Sequence, residues 1–240
     1  MSIHSNYGMI VVRRQSDLAQ AALSFFETTE MAAATPTNAR RTASRTERRQ
    51  QLIDATMKCI ARKGMGSTTL GDVAKEAGLS QGIVNLHFES KENLLSETLS
   101  RLAGDYREKF SKALKSCGPR PADKLRAVME LDLRPSICNP RNLAIWFAFW
   151  GEVKSRPTYR RICDEWDQHY DEVVAGLCEE LIAESDYRNV EPRTVSYALA
   201  AMINGLWLSC LVSPQTWDRS KAMDVVMGYL RGIFPKHFNV

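Results

Sequence analysis

Gln81 and Asn85 stand four residues apart, so two carboxamides share one face of a helix, where each can donate to and accept from the edge of a nucleobase. Gly82 and His87 face the same way, Ser80 and His87 can approach bases or phosphates, and Lys91 at a helix start can hold a phosphate. A second set is aromatic. Trp146, Phe149 and Trp150 fall at i, i+3 and i+4, Trp166 and Tyr170 at i and i+4, and Trp207 follows Asn204. Such faces on three helices can surround one cavity, and the same spacing also describes an ordinary core. No Gly-rich phosphate loop, G-x-S-x-G, H-E-x-x-H or Cys/His cluster at metal spacing accompanies them, and His169 has no nucleophile nearby in the sequence. The expectation is a protein that is not an enzyme and uses no metal or cofactor.

The first set needs a precise scaffold, and the surrounding residues supply one. Leu70, Val73, Ala74 and Ala77 recur at helical spacing, Gly78 suits a left-handed helix stop, and Ser80 can cap the helix that follows. Val84 and Phe88 give that second helix its apolar stripe. A helix beginning at Arg45, with Leu52, Ile53, Ala55, Thr56, Met57 and Ile60, comes before and stops at Lys63-Gly64. Another begins at Ser90, with Glu92 in its first turn. Eight basic residues against two acidic ones lie between Arg40 and Lys63, although the whole chain of 240 residues carries only +4. Helix, Gly turn and helix alone would equally fit a hairpin in an unrelated all-α protein.

The run from Arg45 to Leu95 resembles the DNA-binding domain of the TetR family of bacterial repressors, through Gly64, Thr68-Thr69, Val73-Ala74, Ala77-Gly78, Gly82, Phe88 and Lys91-Glu92 with Leu94. One departure is Asn85, where many members carry Tyr. The resemblance implies a double-stranded DNA operator as partner. Arg45, Arg48 and Thr69 are then expected to contact the backbone, and Ser80, Gln81, Gly82, Asn85, His87 and Lys91 to form the reading face.

The remaining sequence reads as helices throughout. One runs from Lys91 to about Ser116, and others open at Pro121, Pro140, Pro157 and Pro192, where the missing N–H of proline does no harm. A last one follows Ser220. The helix from Val195 to Leu211 is apolar nearly all round and must be covered on more than one side, by its own domain and by a second copy of the chain. Tyr197 to Val212 is expected to be too short for a membrane span, and no signal peptide is evident. Six scattered cysteines fit reduced thiols in the cytoplasm. The fold class is all-α: a weakly ordered basic extension over 1–44, a three-helix helix-turn-helix domain over 45–92, and a helical effector-binding and dimerisation domain over 93–240. Within the extension, 18–26 reads as a weak amphipathic helix and 31–44 as disordered, able to act as a minor-groove arm.

Trp146-Phe-Ala-Phe-Trp150 and Ala198 to Leu208 further resemble the C-terminal domain of the choline-responsive, BetI-like branch of that family. This implies a small-molecule effector, choline or a related quaternary amine, held by Trp146, Phe149, Trp150, Trp166, Tyr170 and Trp207. A carboxylate, Asp132 or Glu152, would neutralise the cation and Asn204 would meet the hydroxyl. A repressor of an efflux or lipid pathway, sensing a bulky apolar drug or acyl chain, is the alternative.

Overall fold

The computed structural model describes residues 36–239, with side chains from Arg45 onward. The chain divides into two compact units, Met1–Arg45 and Thr46–Val240. In the first, residues 36–45 are helical. The expected helix over 18–26 lies outside the described residues.

All ten described elements are helices: α1 (Pro36–Lys63), α2 (Leu70–Ala77), α3 (Gln81–Phe88), α4 (Lys91–Ser116), α5 (Pro121–Asp132), α6 (Pro140–Trp150), α7 (Pro157–Ser185), α8 (Pro192–Val212), α9 (Arg219–Ile233) and α10 (Pro235–Phe238). Their ends follow local chemistry. α1 stops at Gly64, where φ is +81°, and α2 stops at Gly78, where φ is +66° and the backbone N–H reaches the carbonyls of Ala74 and Lys75. Both glycines occupy the left-handed region that disfavours a Cβ. Thr69 and Asp72 form a reciprocal capping box at the start of α2, and Ser90 caps α4 by accepting from the Asn93 N–H at 3.1 Å. Ser80 departs from expectation. It sits at the N-cap of α3 in extended backbone, but its side chain makes no capping hydrogen bond. At α9 the cap is Asp218, two residues before Ser220, because its carboxylate accepts from the Ser220 N–H at 2.8 Å. The short α10 was not foreseen.

Two cores organise Thr46–Val240. The smaller joins Leu52, Ile53, Ala55 and Cys59 of α1 to Val73, Ala74 and Ala77 of α2, Val84 and Phe88 of α3, and Leu94 of α4. Each fully buried Leu or Phe contributes on the order of 1.5–3 kcal/mol. The larger core runs from Leu95 of α4 through α5 to α10. Helix α4 therefore belongs to both, and at 1.5 Å per residue it is about 39 Å long. Arg49 fastens the front end: its guanidinium lies 4.6 Å from the Phe88 ring centroid, pairs with Glu97 of α4, and donates to the His87 carbonyl.

α8 corrects one expectation. Its 21 residues are long and apolar enough, by length and composition, to cross a membrane, and only 33% of an apolar 18-residue stretch within it is buried. Val195, Ser196, Leu199, Ile203, Trp207 and Cys210 face the core, whereas Tyr197, Leu208 and Val212 are 77%, 47% and 70% exposed.

Candidate functional site

The outer face of α3 carries Gln81, Gly82, Asn85 and Leu86, all exposed, because Val84 and Phe88 turn the opposite face into the smaller core. His87 is half-buried, with its ring tilted against Phe88 at 6.4 Å, so it is less outward than expected. Lys91, half-buried, stands at the first position of α4, where the helix N-terminus adds positive potential. Arg45 and Arg48 are exposed. Thr69 is exposed too, but its hydroxyl is engaged by Asp72. Lys63 and Thr69 together hold the Asp72 carboxyl well below the usual carboxylate range. Leu86, 70% exposed, was overlooked in the sequence: an apolar residue off the buried stripe carries no periodic signal.

The second site is a cavity of about 580 Å³ within the larger core, bounded by α4 to α8. Its floor is Asp132, the last residue of α5, with none of its surface exposed. Tyr106 of α4 donates its hydroxyl to one carboxylate oxygen, and Tyr170 of α7 donates to the other at 3.0 Å. Burial pushes the Asp132 carboxyl up to about 7, while the two tyrosine hydrogen bonds work against that shift. The α5 terminus is fixed by the Trp207 indole N–H donating to the Asp132 carbonyl at 2.8 Å and by Arg219 donating to the Leu133 carbonyl at 2.9 Å.

Aromatic rings surround this carboxylate. Tyr106 meets Trp166, Trp207 and Trp146 edge to face at 5.0, 6.3 and 6.4 Å, and Trp150 stacks on Trp207 at 6.2 Å with 17° between planes. Of the residues expected at a ligand site, Asp132, Trp146, Trp150, Trp166, Tyr170, Asn204 and Trp207 all line the cavity. Phe149 does not. It is fully buried, edge-on to Tyr159 at 5.2 Å. At about 100° of rotation per residue, Trp146 and Trp150 lie roughly 40° apart on α6, whereas Phe149 turns about 100° away from Trp150. Glu152 also lies elsewhere, approaching Arg156 at 3.9 Å.

Several lining residues were not anticipated: Tyr106, Ser196, and the three acids Asp164, Asp167 and Asp171 of α7. Tyr106 was visible only as one more apolar position on α4. The acids recur at i, i+3 and i+7, and a charged face on a long helix looks like ordinary solvent exposure. The arrangement as a whole, a desolvated carboxylate ringed by aromatic faces, is complementary to a large and weakly hydrated cation. Among the described residues no group of three or more His, Cys, Asp or Glu side chains could hold a metal ion.

Comparison with known proteins places the chain in a family. The family described as bacterial regulatory proteins of the tetR family matches residues 52–98, and the BetI-type transcriptional repressor C-terminal family matches residues 121–235. The HTH-type transcriptional regulator BetI of Paraburkholderia xenovorans is 32% identical, covering 76% of this chain and 91% of the relative. Its namesake from Stenotrophomonas maltophilia is 30% identical over the same shares. Among solved structures, a transcriptional regulator from Pseudomonas aeruginosa PAO1 has a TM-score of 0.71 at 24% identity, covering 80% of this chain and 94% of that one. A regulator from Saccharomonospora viridis, solved in complex with choline, also scores 0.71, at 20% identity, with 78% and 96% covered. A helix-turn-helix with an outward-facing α3, joined through α4 to a domain of the matched type, has one meaning: the chain belongs to the TetR family of DNA-binding transcriptional regulators, with a BetI-type C-terminal domain, and it is not an enzyme.

Proposed function

We propose that the protein is a homodimeric repressor, acting in the cytoplasm, that a quaternary ammonium cation of the choline class releases from its operator. The observation that carries this reading is the buried Asp132 carboxylate ringed by Tyr106, Trp146, Trp166 and Trp207. A quaternary ammonium offers no N–H, so a site must hold it by aromatic faces, worth ~0.5–2 kcal/mol each, and by a nearby negative charge. The C-terminal end of α5 adds its own partial negative charge beside Asp132. An apolar drug or acyl chain would offer that carboxyl no counter-charge and favour its protonated form, so only a cation gains from the ionised one. The choline bound to the Saccharomonospora viridis regulator supports the same class.

On DNA, Gln81 and Asn85 would read base edges from α3, and Lys91 with the α4 terminus would hold a phosphate. Two copies would pair through the exposed face of α8, so that two readers engage half-sites a helical turn or a multiple apart. Helix α4 would carry the signal. A cation that draws the Asp132 carboxylate away from Tyr106 frees α4 to shift, and α4 also holds Glu97, to which Arg49 is fastened. Reversing a 99:1 population takes about 5.5 kcal/mol of differential binding across the dimer, so the ligand must favour the DNA-incompetent spacing and not merely bind tightly.

The test is a mobility-shift assay on DNA selected by the protein from a random library, with choline titrated in. Release at rising choline, with heat of binding by calorimetry, is expected. Absence of both heat and release with choline, betaine aldehyde and tetramethylammonium would reject the effector and leave the regulator standing.

A further inference from the structure

Ser196 is a buried hydroxyl with an unusual lack of partners. It lines the cavity from α8, is 1% exposed, and its Oγ makes no hydrogen bond. Other helical hydroxyls return to the carbonyl four residues earlier: Thr56 to Leu52 at 2.8 Å, Thr98 to Leu94 at 2.7 Å, and Ser209 to Gly205 at 3.0 Å. Ser196 does not, so its hydrogen-bonding capacity is left for whatever fills the cavity.

The cavity is also long. Ser196, Ala200, Ile203 and Trp207 all line it from one face of α8, and at 1.5 Å per residue Ser196 and Trp207 are about 16 Å apart along the helix axis. Trp207 belongs to the aromatic surround of Asp132, and Ser196 marks the other end. A volume of about 580 Å³ suits a drug-sized molecule rather than one of seven heavy atoms such as choline. Choline's hydroxyl, two carbons from its nitrogen, falls short of Ser196 when the head lies against Trp207.

The α7 wall of the cavity carries charge as well. Asp164 and Asp167 of α7 line the cavity and make no ion pair among the described residues, whereas Asp171 is matched by Arg193 at 2.8 Å. Arg160 is the one basic residue in the lining. Partial withdrawal from water and the neighbouring Asp164 push the Asp167 carboxyl upward, as fits a carboxylate awaiting a donor.

We propose that Ser196, with Asp164 and Asp167, forms a second subsite that binds the N–H- or O–H-bearing far end of an elongated quaternary ammonium, so that the effector is an extended cation longer than choline. This rests on the reading of the aromatic surround as the site of the ammonium head. The far-end donor meets the Ser196 Oγ and a carboxylate, and the chain between crosses the apolar middle formed by Ala200 and Ile203.

The experiment titrates the full chain, followed by tryptophan fluorescence, with tetramethylammonium, decyltrimethylammonium, 10-hydroxydecyl-trimethylammonium and 10-aminodecyl-trimethylammonium. The amino or hydroxyl compound is expected to bind about tenfold more tightly than the decyl compound. Ser196→Ala should reduce that ratio for both ends, and Asp167→Asn chiefly for the amine, with operator affinity checking that each variant is folded. A ratio near one in the wild type, or a ratio unchanged in both variants, overturns the second subsite. Failure of all four cations to bind overturns the head-group reading itself, and the subsite with it; binding of tetramethylammonium with indifferent tails overturns the subsite alone.

Discussion

The hydroxyl of Tyr106 donates to the buried carboxylate of Asp132, and this contact ties α4, which begins directly after α3, to the floor of the cavity. Tyr106→Phe keeps the ring that Trp146, Trp166 and Trp207 pack against and removes only the donor. A buried acceptor that loses a hydrogen bond costs roughly 1–3 kcal/mol, so thermal unfolding should show a loss in that range. The functional consequence is larger. Ligand binding should persist, while operator affinity without ligand should fall toward that of the liganded wild type and change little when ligand is added, since the carboxylate no longer holds α4. A variant that binds and releases like the wild type would break this coupling scheme.

Asp132 gives the response a pH dependence of definite sign. Its carboxyl is raised from 3.8 to about 7 by burial, despite the hydroxyls of Tyr106 and Tyr170, while the Trp207 indole meets its backbone carbonyl. The folded protein therefore binds this proton more strongly than the unfolded chain. Stability contributed through Asp132 is highest below pH 4 and declines as pH rises toward 7. Cation binding goes the other way, because the ligand needs the carboxylate. Affinity should level off above pH 7 and fall as pH drops below it, by at most about tenfold per unit. Asp132→Asn should flatten that slope in calorimetry at pH 6, 7 and 8; an unchanged slope assigns the proton elsewhere.

Most of this architecture was legible in the chain, and the exceptions share a cause. Pro121, Pro140, Pro157 and Pro192 each open a helix, and Gly78 stops one in the left-handed region, because backbone chemistry acts locally. Asp132 and the tryptophans could be shortlisted from residue type. Tyr106 could not, because its role depends on Asp132, twenty-six residues later, and only the packing of α4 on α5 brings them together. Ser196 carries no signal at all in sequence, since a serine without a partner is defined by what surrounds it. Phe149 was misread because i+3 and i+4 from Trp146 were treated as one face, and the cavity subtends less than that.

In the proposed DNA complex, the face of α3 would read bases and Lys91 would hold a phosphate. Lys91→Ala should weaken binding to every sequence and lower the salt slope by about one unit, whereas Asn85→Ala should relax base preference. Leu86, 70% exposed, has the shape to meet a thymine methyl. Replacing operator thymines by deoxyuridine one at a time should reveal a position where wild-type affinity drops and Leu86→Ala is indifferent. If no position behaves so, Leu86 is exposed for another reason.

Pairing through α8 can be tested without touching the cavity. Leu208 and Val212 are exposed, one turn apart, and line no part of the cavity. Leu208→Arg places charge where two copies would meet, so sedimentation should shift from dimer to monomer and operator affinity should fall by tenfold or more, since half the contacts are lost. A dimer that survives Leu208→Arg and Val212→Arg together would place the interface elsewhere.

Trp150 and Phe149 are adjacent in sequence and should differ completely in consequence. Trp150 lines the cavity and stacks on Trp207, so Trp150→Ala removes a face from the proposed cation site. At ~0.5–2 kcal/mol per aromatic face, affinity for a quaternary ammonium should fall by about 2- to 30-fold. Because Trp150 is only partly buried, the fold should tolerate the change better than it tolerates loss of its neighbour. Phe149 is fully buried against Tyr159, so Phe149→Ala should cost about 3–5 kcal/mol of stability through lost burial and the space left behind. Its folded fraction should still bind the cation as the wild type does, because the ring never reaches the cavity. Calorimetric titration beside thermal unfolding separates the two effects. Equal losses of affinity from both variants would mean that α6 responds as a unit, and that the cavity depends on the packing behind it as much as on the rings that face it.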